Sequence, residues 1–115
     1  MDSFKSDDID QWINKYIEEK KIFEENLIDI YMYGGIVSTK NKFIGFYTIT
    51  RYYYDWTEVI KLNYSNTLNY FHQMLEFLIK LEENNYSYRD LKMTNIGLDQ
   101  KDSKYNFIVL DYDDI

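Results

Sequence analysis

Two stretches of this 115-residue sequence hold the residue types that acid–base and metal chemistry require. The first is Tyr88-Arg89-Asp90-Leu91-Lys92-Met93-Thr94-Asn95. The second is Ile108-Val109-Leu110-Asp111-Tyr112-Asp113-Asp114. Asp111 stands at the exit of an apolar strand, where the backbone is fixed and a carboxylate can meet solvent. Such a position suits a hard cation, because Mg²⁺ takes a few protein oxygens and completes its octahedron with phosphate and water. Asn95 and Asp111 can supply two of those oxygens. Asp90 can accept the proton of a hydroxyl nucleophile, and Lys92 can neutralise charge on a group in transfer.

The elements that must hold these residues follow from periodicity and turn chemistry. Asp7 and Asp8 offer a cap and an acidic first turn ahead of Ile9, Ile13, Tyr16 and Ile17, which predicts a helix over 8–25. A strand is expected over 27–37, with Gly34-Gly35 as a bulge or bend, then a turn over 38–42 and a second strand over 43–50. The aromatic segment 51–56 reads as a connector. Asn66 or Ser65 can cap a helix running to about residue 83, with Leu68, Phe71, Leu75 and Leu78 as its core stripe and Ile79 widening it. Asn84-Asn85 break it, and a polar loop follows over 86–95. Short strands at 96–98 and 106–110 flank a turn at 99–104. The fold class expected is α+β.

The spacing Arg89-Asp90-Leu91, Lys92, Asn95 resembles the catalytic loop of eukaryotic-type protein kinases, and Asp111-Tyr112-Asp113 falls where that family carries Asp-Phe-Gly. The resemblance implies a partial kinase-like fold: regulatory helix, antiparallel hairpin, hinge, long helix, catalytic loop and short β-hairpin. It treats 1–115 as one incomplete domain, with about 1–50 like the small lobe and 51–115 like the hinge and the start of the large lobe. It makes Asp90 the catalytic base and Lys92 the phosphate-facing charge. Asn95 and Asp111 become the Mg²⁺ and ATP ligands, and a protein Ser/Thr hydroxyl becomes the acceptor. Tyr88 stands where His is commoner, and Arg89 where related kinases brace a phosphorylated loop.

The sequence also departs from that family. Asp113 replaces its glycine, and Gly34, Gly35, Gly45 and Gly97 form no GxGxxG. Lys5 is the sole lysine ahead of the first helix, and nothing selects its helix partner among Glu18, Glu19, Glu24 and Glu25. The activation loop and peptide-binding helices would lie beyond Ile115. The expectation is therefore a kinase-like chain that is incomplete or weakly active. A truncated pseudokinase that binds a protein partner, binds nucleotide or self-associates is the alternative. A metal-dependent glycosyltransferase fragment using Asp111 and Asp113 would leave the Asp90–Asn95 spacing unexplained.

Composition narrows the field further. Thirteen basic against twenty acidic residues give a net charge of −7, and only Arg51 and Arg89 are arginines. That excludes the basic footprint of nucleic-acid binding. Aromatics at 19% argue against disorder. With no Cys and one His, neither a disulfide framework nor a zinc site is expected. No apolar run reaches the roughly 18 residues of a membrane span, and 1–5 open no signal peptide, so an intracellular, cytoplasmic domain is expected. The absence of Ala and Pro beside abundant Ile, Asn, Lys and Tyr resembles the product of an AT-rich genome, as in large DNA viruses. His72 reads as a helix-surface residue. Tyr52, Tyr53, Tyr54 and Trp56 read as packing residues or as the lining of an adenine slot.

Overall fold

The computed structural model describes residues 6–88 and 91–110. Among them it is a mixed α+β structure whose contacts form two compact units, one built on 6–22 with 29–51 and one on 23–28 with the chain from Tyr52 onward.

The first unit joins α1 (Ser6–Ile22) to a hairpin of β1 (Ile30–Val37) and β2 (Phe43–Thr50). Asp7 and Asp8 stand in the first turn of α1 and Lys20 and Lys21 in the last, each matched to the helix dipole. Ile9, Ile13 and Tyr16 are buried, and Ile17, expected beside them, is exposed. Trp12 packs on Phe46 with ring centroids 5.1 Å apart. The Ile30 N–H donates to Tyr16 Oη at 3.1 Å, tying the helix to the start of β1. The expected bulge at Gly34-Gly35 is absent. Pairing runs unbroken from Met32↔Ile49 to Ile36↔Gly45, with register shifts on either side. The glycines serve aromatic neighbours instead, since a Cβ at Gly34 would lie 2.6 Å from Tyr47 Oη and one at Gly35 would strike the Phe43 ring.

Helix α1 stops at Ile22, short of the expected 25, because the next residues are drawn into the second unit. Phe23 is fully buried there, edge-on to Phe77 at 5.5 Å and to Tyr86 at 5.4 Å. A turn from Phe23 to Asn26 then lets Leu27 form a parallel bridge to Val109. Leu27 thus belongs to this second core and not to β1. Burying Phe23 and Leu27 outweighs the slight helical preference of Glu24 and Glu25.

The rest of the second unit is β3 (Tyr54–Asp55), α2 (Trp56–Val59), α3 (Tyr64–Glu83), β4 (Ile96–Lys101) and β5 (Lys104–Val109). The expected connector therefore contains a strand and a one-turn helix, whose N-cap Asp55 accepts the Thr57 N–H at 2.9 Å. The N-cap of α3 is Asn63, and Asn66 is the residue whose N–H it holds, at 2.8 Å. The helix ends in a Schellman motif. Asn85 adopts φ 62°, Tyr86 N–H donates to Leu81 C=O at 2.9 Å, and Asn85 N–H to Glu82 C=O at 3.1 Å.

The stripe expected to be core on α3 is the wrong one. Leu68, Phe71 and Leu75 are 52%, 40% and 59% exposed, whereas Tyr70, Phe77 and Leu81 are at most 2% exposed. The helix has two apolar faces, and the sheet takes the one carrying Tyr70. Strands β3, β4 and β5 form one antiparallel sheet in that order. The β4–β5 turn is tighter than expected. Asp102 and Ser103 alone form it at φ 52° and 64°, the paired left-handed conformation of a two-residue hairpin loop.

Candidate functional site

The site is built from the back of the sheet outward. Gln73 sits amid the buried face of α3 and reaches β5 with both ends of its amide. It donates to Tyr105 C=O at 2.9 Å and accepts the Phe107 N–H at 2.9 Å. Asn26 Nδ2 donates to Phe107 C=O at 3.2 Å, and Val109 N–H donates to Asn26 C=O at 2.8 Å. The outer edge of β5 is thereby closed by side chains and a loop. On β4, Gly97 C=O accepts the Tyr70 hydroxyl at 2.8 Å, and burial pushes that phenol well above its ordinary pKa. Gly97 itself permits close approach of β3, because a Cβ there would lie 2.6 Å from Tyr54 C=O.

This scaffold fixes the register Ile96↔Val109, and the next residue on each strand lies at the candidate site. Leu110 N–H donates to Asn95 C=O at 2.8 Å. Asn95 closes a 3₁₀ turn, Met93–Asn95, with its N–H on Lys92 C=O at 2.9 Å. The turn directs its members differently: Asn95 is 8% exposed, whereas Lys92, Leu91 and Met93 face solvent. Of the four sequence-predicted site residues, Lys92 and Asn95 are therefore brought together, and Asn95 is tied to the residue that precedes Asp111. Asp90 and Asp111 lie outside the described residues, as do Arg89, Tyr112 and Asp113. No group of three or more His, Cys, Asp or Glu able to hold a metal occurs among the described residues. The oxygen donor there is the Asn95 side-chain amide, whose chemistry suits Mg²⁺.

Of Glu18, Glu19, Glu24 and Glu25, only Glu19 is buried, at 3% exposed, on the same face of α1 as Ile9, Ile13 and Tyr16. Lys15 Nζ lies 3.9 Å from its carboxylate, and Lys5 is outside the described residues. Trp56 lines an apolar cavity of about 20 Å³ with Val59, Tyr70, Phe71 and Met93. That space holds about one water, and Trp56 packs on it from the α2 side. Tyr52 is exposed and meets Tyr54 edge-on at 5.1 Å.

The positioning residues Gln73, Tyr70 and Asn26 were not singled out from sequence. Their signal was a polar atom set within an apolar face, Gln73 lying between Tyr70 and Phe77. Among the described residues no helix is long and apolar enough to cross a membrane. Compared with protein-family models, curated proteins and solved structures, the chain gave no match.

Proposed function

We propose that this chain carries a protein-kinase-like centre for ATP- and Mg²⁺-dependent phosphoryl transfer to a protein Ser/Thr hydroxyl. The observation behind this reading is the Leu110 N–H···O=C Asn95 hydrogen bond at 2.8 Å, which joins the two motif-bearing segments at one end of the β4–β5 hairpin. Asn95 and Asp111 would hold Mg²⁺, which when bound supplies charge neutralisation on the phosphates. Asp90 would take the proton of the attacking hydroxyl as its oxygen bonds to the γ-phosphorus and the bond to the bridging oxygen breaks, releasing ADP. Lys92, exposed on the turn beside Asn95, would offset charge on the transferring group.

Calorimetry with a non-hydrolysable ATP analogue tests this. Binding should require Mg²⁺, be lost in Asp111→Ala, and persist in Asp90→Asn, which should abolish any turnover. Folded protein that binds no analogue at millimolar concentration overturns the proposal. In that case the second reading, a pseudokinase-like binding module, stands on the exposed apolar residues Leu68, Leu75 and Ile79 of α3.

A further inference from the structure

The unburied face of α3 carries an apolar stripe. At 100° per residue, Tyr64, Leu68, Phe71, Leu75 and Ile79 fall within a stripe about 80° wide, opposite the face that carries Phe77 onto the sheet. They recur at steps of three and four residues, the spacing of a helix–helix seam. Tyr64 is 81% exposed and Ile79 56%, while Phe71, at 40%, also lines the apolar cavity beside Tyr70. Isolated exposed apolar residues need no explanation, but five in register along a 20-residue helix do.

We infer that two copies of this chain associate through α3, antiparallel, about a two-fold axis passing near Gln73 and Met74. Three features select a second copy as the occupant. First, the stripe is self-complementary in sequence: the axis that sets Leu68 against Ile79 of the second copy also sets Phe71 against Leu75. Second, the polar flank agrees with the same axis. His72 and Glu76 flank the stripe on one side and already pair within one chain at 2.8 Å. The two-fold places His72 of each copy beside Glu76 of the other, so two pairs become one alternating ring, while on the opposite flank Met74 meets its own mate and Thr67 meets Leu78 of the second copy. No Asp, Glu, Lys or Arg interrupts the seam between Tyr64 and Ile79. Third, the area suffices. With about 150–250 Å² for a fully exposed aromatic side chain, and somewhat less for Leu and Ile, the half-exposed stripe offers on the order of 500 Å² per copy. The two stripes with their flanks then approach the roughly 1,200–2,000 Å² of a specific interface.

Sedimentation analysis of the intact chain should show a dimer at tens of micromolar, and Leu75→Glu, at an exposed position, should render it monomeric without lowering its helical content. Orientation is read by cysteine, which the chain otherwise lacks. Met74→Cys, near the axis on the flank of the seam, should be joined to its mate by a bis-maleimide of about 10 Å reach, while Tyr64→Cys, about 28 Å from its mate along an antiparallel pair, should not. Glu76→Lys alone should weaken the dimer roughly five- to twentyfold, and adding His72→Glu should restore it. A parent monomeric at 100 µM or more overturns the inference. So do a dimer indifferent to Leu75→Glu, cross-linking of both cysteine variants, or a charge swap without rescue.

Discussion

Gln73 ties α3 to β5, the strand that leads to the candidate site. Replacing it with Met keeps its length and removes both amide contacts to β5, at 2.9 Å to Tyr105 C=O and 2.9 Å from Phe107 N–H. Phe107 is fully buried, so its N–H would lose its partner without gaining water. Leaving such a donor unsatisfied costs about 1–3 kcal/mol. Tyr105 is half-buried and its carbonyl can recover part of its bond from solvent, so its loss adds about 0.5–1 kcal/mol. The expected destabilisation of Gln73→Met is therefore about 1.5–4 kcal/mol. Gln73→Glu keeps the acceptor for Phe107 and loses only the donor, so it should cost about 1 kcal/mol. Urea titration followed by tryptophan fluorescence reads both, with the midpoint of the Met variant falling by roughly 1 M. Hydrogen exchange locates the effect: the Phe107 amide should lose protection in Met and largely keep it in Glu. Equal midpoints for parent and Met variant, with Phe107 equally protected, would refute this account of how β5 is held.

Tyr70→Phe removes the hydroxyl bond to Gly97 C=O and should cost about 1–2 kcal/mol by the same titration. The phenol's raised pKa also sets a sign. Above the unfolded value of about 10, the unfolded chain gives up this proton while the folded chain keeps it, so stability falls as pH rises beyond that point. Melting curves between pH 9 and 11 (roughly spanning that value) should thus decline more steeply for the parent than for Tyr70→Phe, and equal slopes would remove Tyr70 as the cause. Gly97→Ala forces a methyl toward Tyr54 C=O, and an overpacking cost of about 1–3 kcal/mol should appear with loss of exchange protection where β3 meets β4. Asn63→Ala removes the α3 cap and should lower stability by about 1 kcal/mol, with fraying confined to the first turn.

Much of this fold could be read from residue order alone, and the failures share a cause. The helical spacing of Ile9, Ile13 and Tyr16, the hairpin of β1 and β2, and the Asn84-Asn85 stop are local signals, and the elements appear where those signals lie. Helix α3 is also local, but its orientation is not. With apolar residues on two faces, periodicity cannot say which one meets the sheet. The choice rests on Tyr70 and Gln73, whose polar atoms find partners on β4 and β5. The end of α1 was misplaced for the same reason, since Phe23 and Leu27 answer to Phe77 and Val109, far along the sequence. At the candidate site, Lys92 and Asn95 are neighbours because a 3₁₀ turn brings residues three apart together. The bond from Leu110 to Asn95 depends on a hairpin register that a turn without glycine, Asp102-Ser103, conceals.

Asn95 lies where structure and proposed chemistry meet, and two substitutions separate them. Its backbone N–H is held by Lys92 C=O and its C=O by Leu110 N–H, so the turn and the strand junction rest on groups that any residue but proline provides. What is particular to Asn95 is a side-chain amide at a position only 8% exposed. Burying a polar side chain is unfavourable unless it is satisfied, so an amide at this position calls for polar partners. In the proposed centre, Mg²⁺ would be one of them. Asn95→Asp keeps both the shape and a hard oxygen, and should retain Mg²⁺-dependent binding of the ATP analogue. Asn95→Leu keeps the volume and removes the oxygen. It should remain folded and lose that binding by tenfold or more, which is about 1.4 kcal/mol. If Asn95 serves packing alone, the ordering reverses: the buried carboxylate of the Asp variant destabilises the protein, and the Leu variant binds the analogue as the parent does.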